Sequence, residues 1–359
     1  MTKKKFSSKK RAIDAALERI RTNRSDNHNA IEIANGIING KLEELARGIT
    51  LIESERLSDR PLAQLLLQEI KSFIEEKSHY SQIDTVRIGI TGIPGVGKST
   101  FIERLGLDLI KEGHRVAVLA VDPSSKRTGG SILGDKTRMD ELAVQENAFI
   151  RPSPASDALG GVARATMEAV ILCEAAGYNR IIVETVGVGQ SETAVREMVD
   201  VFCLLLIGGA GDEVQGIKRG IVEMADLIIV HKSDGDNIAA CASTAQAYIN
   251  ALHLFPPPPS GEKVDVLLAS SIDGSGHSQI REEIDSLTKL WKESGWWSKQ
   301  RANQNSDRMT THARDLLLAQ KMDNPKSALL WNKLQLEVTR GTRSAFSAAW
   351  DWVNSDSDK

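Results

Sequence analysis

The sequence predicts an α/β fold in which a mostly parallel central sheet is covered by helices. Two observations predict it: six short runs rich in Val, Ile and Leu, and the helical stretches that separate them. Near-continuous apolar runs are typical of strands buried on both faces of a parallel sheet. With 359 residues and 41% hydrophobic content, the chain can bury such a core and a smaller second unit. The predicted strands are "TVRIGITG", "HRVAVLAVD", "NRIIVET", "DVFCLLLIG", "DLIIVHK" and "VDVLLAS".

Helical segments flank this predicted core on both sides. Residues 26–82 have a helical pattern, in which Pro61 suits a first turn and the apolar residues that follow it keep helical spacing. They predict an N-terminal helical cap before a core domain at 83–293. Residues 294–359 are predicted to form a helical C-terminal extension. The prolines of "FPPPPSG" predict a stiff loop before the last strand.

Composition and charge exclude several classes of function. The 45 basic and 48 acidic residues give a net charge of -3, which argues against a general role on nucleic acid or on a membrane surface. No run of 18 apolar residues is present, so no membrane insertion is predicted. Residues 1–25 are predicted to be a flexible basic head, with a transit peptide to the mitochondrial matrix as the alternative. The three cysteines are far apart and predict buried, reduced thiols in a cytoplasmic compartment.

The segment "GITGIPGVGKST" carries the first chemical motif. It completes G-x-x-x-x-G-K-[ST] between an apolar strand and a helical run. In this motif the glycines let backbone N–H groups wrap phosphates, the lysine reaches the β- and γ-phosphates, and the hydroxyl contacts Mg²⁺. The sequence therefore predicts a P-loop NTPase. Its predicted phosphate-binding residues are Gly92, Ile93, Pro94, Gly95, Val96, Gly97, Lys98, Ser99 and Thr100.

Three acidic side chains fall where a metal site is expected. Asp122 ends the second predicted strand, Asp135 lies in the glycine-rich "TGGSILGDKTRM", and Glu184 ends the third predicted strand. Ligands collect at the carboxyl ends of the strands in open parallel sheets. Each acid alone could be a helix cap or a solvated loop residue, but together with Ser99 they are predicted to hold Mg²⁺ or its waters. Gly187 can present a backbone N–H to the γ-phosphate.

The stretch "LIIVHKSDGD" matches the end of the Asn-Lys-x-Asp pattern by which many G proteins read guanine, with His231 in place of Asn. Asp234 can accept from guanine N1–H and the exocyclic amine, a pair of donors that adenine lacks, and Lys232 can lay its stem over the base. Ser270 and Ser271 resemble a base-contacting Ser-Ala pair. Because a neutral imidazole still donates one N–H, we predict GTP over ATP. We also predict weaker affinity than with Asn, and a pH dependence near neutrality.

Five sequence blocks, in order, resemble the methylmalonyl-CoA mutase-associated GTPases of the MeaB type, a family that includes relatives described as arginine/ornithine transport kinases. The blocks are "GIPGVGKST", "AVDPSSKRTGGSILGDKTRM", "ETVGVGQSE", "GDEVQGIKRG" and "HKSDGD". The resemblance extends from about Leu42 to Ile280. It implies a Mg²⁺-dependent GTPase that acts as a chaperone for an adenosylcobalamin-dependent mutase, methylmalonyl-CoA mutase by default. Such a chaperone gates delivery of the cofactor and protects the mutase.

The resemblance also implies the roles of individual residues. The Mg²⁺ and hydrolysis centre would comprise Lys98, Ser99, Asp122, Asp135 and Glu184. The segment "GDEVQGIK" resembles a third switch that senses the nucleotide and communicates with the mutase, although Asp212 and Glu213 in it could equally form a helix N-terminus. Lys218 is predicted to stabilise charge in the transition state, with an ordinary solvated lysine as the alternative.

Other classes of protein remain open on the residues alone. A nickel-insertion GTPase should cluster His and Cys, which are scattered here. A stand-alone kinase linked to amino-acid transport would need a catalytic base, and no catalytic-loop signature is present. A non-catalytic scaffold is the third alternative. By resemblance the C-terminal extension is a dimerisation arm, and we expect a homodimer; Trp291, Trp296 and Trp297 could pack in that arm, although core packing is the simpler account of each.

Overall fold

The computed structural model of the protein describes residues 29–54, 56–76, 84–121, 139–152, 159–185, 191–209 and 219–355. The strands are β1 (Val86–Gly92), β2 (Val116–Val121), β3 (Ala148–Pro152), β4 (Arg180–Thr185), β5 (Val201–Ile207), β6 (Leu227–His231) and β7 (Asp265–Ala269). The helices are α1 (29–38), α2 (Leu42–Glu53), α3 (Arg60–Glu76), α4 (Lys98–Lys111), α5 (Asp140–Ala143), α6 (Leu159–Ala175), α7 (Ser191–Arg196), α8 (Arg219–Met224), α9 (Ile238–Leu252), α10 (His277–Ser294), α11 (Trp296–Asp323), α12 (Pro325–Thr339) and α13 (Ala345–Asn354). Short 3-10 turns lie at Leu57–Asp59 and Gly235–Asn237.

The strands form one seven-stranded sheet in the order β3-β2-β4-β1-β5-β6-β7, and every neighbouring pair is parallel. The predicted α/β fold class is confirmed, and all six predicted strands are present. β1 lies at the centre between β4 and β5, with Ile90 opposite Glu184 on one side and Cys203 on the other. Because all strands run in the same direction, the loops that follow β1, β4, β6 and β7 all emerge on the side of the sheet where the strands end.

β3 is the strand that the sequence analysis did not predict. It lies at the edge of the sheet, where it pairs only with β2. Its segment "AFIRP" buries Phe149, while its other residues are partly exposed. An edge strand with one half-open face lacks the continuous apolar run by which buried parallel strands are recognised.

The sheet separates two hydrophobic clusters, because alternate side chains of a strand point to opposite faces. On β5, Phe202, Leu204 and Leu206 belong to one cluster, whereas Val201, Cys203 and Leu205 belong to the other. The first cluster is completed by α1, α2, α3, α6, α7, α8 and α9. The second is completed by α4, α5 and α10. Near-complete burial of both faces explains why the central strands are almost wholly apolar.

The N-terminal helices share the core of the sheet. Ile37 and Ile49 are fully buried in the same cluster as Leu172 of α6 and Ile181 of β4. Pro61 lies in the first turn of α3, as its pattern predicts. The cap proposed for residues 26–82 thus contributes directly to the hydrophobic core. One compact unit of the chain extends to Arg301, a few residues beyond the predicted end of the core domain, and the other is Ala302–Lys359.

The second unit is helical and has a small core of its own. Leu334, Ala348 and Trp352 are buried between α12 and α13. The Trp352 indole donates to the Ser327 carbonyl at 3.0 Å, and the Asn324 side chain caps the start of α12. Within the described residues, no helix has the length and apolar character needed to cross a membrane. The three cysteines are buried and unpaired, as predicted.

Candidate nucleotide site

The phosphate loop, residues 93–97, joins the central strand β1 to helix α4. It needs glycine, since the backbone φ is +83° at Gly95 and +94° at Gly97, in the left-handed region that other residues avoid. Val96 is fully buried and anchors the loop, whereas Pro94 and Gly95 are exposed. α4 begins at Lys98, so the first N–H groups of a 14-residue helix lie next to this loop. Such a helix start attracts anions through its unpaired N–H groups and its dipole.

Lys98 folds back over the phosphate loop. Its ammonium donates to the Gly92 carbonyl at 2.8 Å and lies 3.5 Å from the Ile93 carbonyl. Burial lowers the pKa of this ammonium, while the carboxylates of Glu184 and Glu192 act in the opposite direction. The arrangement keeps one positive charge at the loop, where it can meet a phosphate oxygen.

A hydroxyl and a carboxylate meet beside the lysine. Ser99 Oγ lies 3.4 Å from Glu184 Oε1, so the start of α4 and the end of β4 present two oxygen ligands together. Among the described residues, no group of three or more His, Cys, Asp or Glu side chains could hold a metal. Mg²⁺ does not require such a group, because it commonly takes one or two protein ligands and completes its shell with phosphate and water oxygens. This pair of oxygens therefore fits Mg²⁺ bound with a nucleotide.

Four predicted site residues lie outside the described residues. They are Asp122, Asp135, Gly187 and Lys218. The segment resembling a third switch, 211–218, lies outside them as well. Their roles remain predictions. Sequence reasoning also missed a hydroxyl pair beneath the site: Thr185 Oγ1 donates to Thr91 Oγ1 at 2.9 Å and joins the ends of β4 and β1.

The base loop, residues 232–237, follows β6 and is fixed to both of its neighbours. Lys232 adopts φ +59°, and its ammonium donates to the Gly95 carbonyl at 2.8 Å. Ser270, directly after β7, donates to the Asp234 carboxylate at 2.6 Å. The Ser233 N–H donates to the Ala269 carbonyl at 3.0 Å. The half-buried carboxylate of Asp234 is thus oriented before any ligand binds, as a selective acceptor must be.

His231 joins the base loop to the phosphate loop. Its Nδ1 lies 2.9 Å from the Val96 carbonyl, and its Nε2 lies 2.7 Å from Ser271 Oγ. A carbonyl only accepts, so Nδ1 carries the proton and Nε2 accepts from the serine. Burial lowers the pKa of this imidazole, although its bond to Val96 raises it. The buried ring therefore resists protonation, and the predicted pH dependence of nucleotide affinity near neutrality stays a prediction.

The fold and the site define a P-loop nucleotide-binding protein of the GTPase class. Residues 45–326 match the family described as "Methylmalonyl Co-A mutase-associated GTPase MeaB", and the chain belongs to this family. It is 42% identical to "GTPase ArgK" of Escherichia coli, over 85% of this chain and 90% of that protein. It is 43% identical to "Methylmalonic aciduria type A homolog, mitochondrial" of Caenorhabditis elegans, over 88% of this chain and 80% of that protein.

A solved structure gives the same result for the fold. The "Crystal structure of LAO/AO transport system kinase" superposes with a TM-score of 0.69 at 34% identity, and the match covers 91% of this chain and 97% of that one. Membership of the family and the likeness to proteins named as GTPases identify this chain as an enzyme that binds and hydrolyses GTP. The resemblance given by the five sequence blocks is thereby confirmed.

Proposed function

We propose that this GTPase is Mg²⁺-dependent and acts as a chaperone for an adenosylcobalamin-dependent acyl-CoA mutase, methylmalonyl-CoA mutase by default. In this role it gates loading of the cofactor and protects the mutase. The observation that carries the proposal is the family match over residues 45–326, whose description names association with that mutase. The mitochondrial homolog at 43% identity, named after methylmalonic aciduria, supports the same partner.

The phosphate end of the site would hold the triphosphate. N–H groups at the start of α4 would bind its oxygens, and the Lys98 ammonium would move from the Gly92 carbonyl to the β- and γ-phosphates. Ser99 and Glu184 would hold Mg²⁺, directly or through water. When bound, Mg²⁺ neutralises the charge that develops on the phosphates. Lys98 is therefore proposed to serve both binding and hydrolysis.

The base end of the site would select guanine. Asp234 is oriented by Ser270, and a carboxylate in that orientation can accept from the two neighbouring N–H donors of guanine. Adenine places no such pair of donors there. His231 is proposed to orient the pocket, since both of its ring nitrogens are engaged within the protein.

Communication with the mutase would run through segments outside the described residues. We propose that Asp122 and Asp135 complete the Mg²⁺ centre, that Gly187 donates to the γ-phosphate, and that Lys218 stabilises the transition state. GTP and the mutase would each favour one conformation of these segments, with a coupling on the order of 1–3 kcal/mol. Slow intrinsic turnover with stimulation by the partner would follow.

Phosphate release tests the proposed partner. GTP hydrolysis should be measured alone, with an adenosylcobalamin-dependent mutase, and with an enzyme that uses no cobalamin as the control. Stimulation by the cobalamin mutase alone supports the chaperone. Transfer of the γ-phosphate to protein would favour the kinase alternative, while equal rates in all three mixtures would reject the mutase as partner.

We also propose a homodimer that uses the second unit, Ala302–Lys359. Among the described residues, the hydrophobic core of this unit consists of Leu334, Ala348 and Trp352, with Leu330, Trp331 and Val338 packed against them, which is small for a helical unit of its size. Large apolar side chains of the unit are exposed instead: Leu316, Leu317, Leu318, Leu329, Leu336, Phe346, Trp350 and Val353. Burial against a second copy would remove that surface from water. Light scattering of the full chain tests this, and a monomer at micromolar concentration would contradict it.

The proposed function also implies a cellular compartment. We propose the cytoplasm, or the mitochondrial matrix if the basic residues 1–25 act as a transit peptide. Cell fractionation with an antibody against the intact chain distinguishes the two compartments.

A further inference from the structure

A second buried histidine, His277, lies next to Ser271 of the nucleotide site, and no sequence motif of the site contains it. His277 is the first residue of α10 and is 1% exposed. The ring of Phe101, from α4, contacts both histidines: its centroid lies 5.0 Å from that of His277 and 5.6 Å from that of His231. The two imidazoles thus contact the same fully buried aromatic ring.

Ser271 connects the two histidines by hydrogen bonds. Its Oγ lies 2.7 Å from His231 Nε2 and 3.3 Å from His277 Nε2. A serine hydroxyl has one proton, which goes to His231 Nε2, because the Nδ1 proton of that ring is directed at the Val96 carbonyl. His277 must then donate its own Nε2 proton to the serine oxygen. The bonds form a chain with one direction, from His277 through Ser271 and His231 to the phosphate loop.

The surroundings of His277 keep it neutral, as this chain requires. Burial lowers the pKa of His277 to about 4; Asp108 raises it, while His231, Arg104 and Arg281 lower it. Its Nδ1 atom is buried and has no hydrogen-bond partner among the described residues. With the single proton of the neutral ring on Nε2, no N–H donor is left unsatisfied at Nδ1.

We propose that His277 is a positioning residue for the GTPase site: through Ser271 it fixes the tautomer of His231, and the imidazole in turn holds the Val96 carbonyl of the phosphate loop. The inference rests on the proposed guanine pocket and adds a residue that no motif of the nucleotide site contains. Without the donor at position 277, the serine proton is free to turn away from His231. The imidazole can then move its proton to Nε2, which leaves a lone pair facing the Val96 carbonyl.

Two substitutions at one position separate donation from packing. His277→Gln keeps an N–H that can reach Ser271, whereas His277→Leu keeps apolar volume and removes the donor. Ser271→Ala and the double variant with His277→Leu break the chain at its centre. His114→Leu is the matched control. His114 is half-buried and hydrogen-bonded to Asn179, but it precedes β2 and so lies where the strands begin, away from the nucleotide site. For each variant the GDP dissociation constant and the 15N shifts of the His231 ring should be measured.

The expected outcomes are specific to a relay. His277→Leu should weaken GDP binding about fivefold, the loss of roughly one hydrogen bond, and move the His231 proton toward Nε2. Ser271→Ala should cost at least as much, and the double variant should cost no more than Ser271→Ala, because residues in one chain do not add. His277→Gln should stay within about twofold of the wild type.

The result that would overturn the inference is an unchanged His231 tautomer and GDP affinity in His277→Leu, or equal losses in His277→Leu and His277→Gln. If His277→Leu does not fold, failure of His277→Gln to preserve the Nδ1 tautomer overturns it as well. A wild type that binds ADP as well as GDP would instead refute the proposed guanine pocket, independently of position 277.

Discussion

The two ends of the nucleotide site are built in different ways. The phosphate end is built mainly from one continuous segment, in which Gly92 to Ser99 follow each other from strand to helix, with Glu184 of β4 beside Ser99. The base end is assembled from the loops after β6 and β7, and it is held by contacts to the phosphate loop. Lys232 and His231 donate to the consecutive carbonyls of Gly95 and Val96, across more than 130 residues of sequence. Selectivity for the base is therefore coupled to the shape of the phosphate loop, and substitutions at each end should reveal the coupling.

The largest effect is expected at the phosphate end. Lys98→Ala removes the ammonium that is held by the Gly92 carbonyl and proposed to reach the phosphates, and GTP turnover should fall about 10²- to 10³-fold, as when other transition-state donors are removed. GDP affinity should fall less, because the base end is intact. Single-turnover hydrolysis and GDP titration measure the two quantities. Lys111→Ala, at the exposed far end of the same helix, is the control and should change neither; equal losses in turnover and affinity would contradict the prediction.

The next effect is expected at the base end. Asp234→Ala removes the oriented acceptor and leaves the hydroxyl proton of Ser270 without its acceptor, so GDP binding should weaken by about 2–3 kcal/mol. Turnover at saturating GTP should stay close to the wild type, because the residues around the phosphates are unchanged. Calorimetric titration with GDP and ADP provides the test, and Asp236→Ala, exposed two residues further on, is the control. A proportional loss of ADP binding would show that Asp234 does not read the base.

These two ends also differ in how far the sequence predicted them. The place of the phosphate loop between a strand and a helix was predicted from one continuous motif, and the structure has the loop there; the phosphate contacts of its residues stay predictions. At the base end, the motif gave Lys232 and Asp234, but the partners of His231 could not be predicted. The Val96 carbonyl and His277 come into reach only through packing of α4 and α10 on one face of the sheet. β3 was missed because its half-exposed segment lacks a continuous apolar run. Its pairing with β2 becomes visible only in the folded sheet.

A smaller effect should report the contact between the two ends. Gly95 and Gly97 have similar left-handed φ values, so alanine costs about 1–2 kcal/mol of backbone strain at either position. A Cβ at Gly97, however, would lie 3.0 Å from His231 Cε1, whereas a Cβ at Gly95 would have nothing within 4 Å. Gly97→Ala should therefore weaken GDP binding several-fold more than Gly95→Ala.

His231→Ala supplies the matched test of that contact. In the Gly97→Ala background it removes the crowded ring, so it should recover part of the lost GDP affinity. In the wild-type background the same change should reduce affinity, because it removes the bond to Val96. If His231→Ala is harmful to the same extent in both backgrounds, the alanine at position 97 does not act through the histidine.

The last effect is on stability, not on binding or turnover, and it is small near neutral pH. Burial lowers the pKa of His277 in the folded protein from 6.5 to about 4, so the folded state stays neutral while the unfolded chain takes up a proton. The stability that the neutral ring provides is present above pH 6.5 and is lost as the pH falls toward 4, by at most about 1.4 kcal/mol per pH unit. Asp226, whose pKa burial raises to about 6, changes stability in the opposite direction, but it does so equally in wild type and His277→Leu. The difference between their free energies of unfolding, measured by chemical denaturation without nucleotide, should therefore shift against the wild type on acidification. Parallel curves for the two proteins would mean that His277 is protonated as easily in the fold as in the unfolded chain, and that it is not held as the neutral donor of the histidine chain.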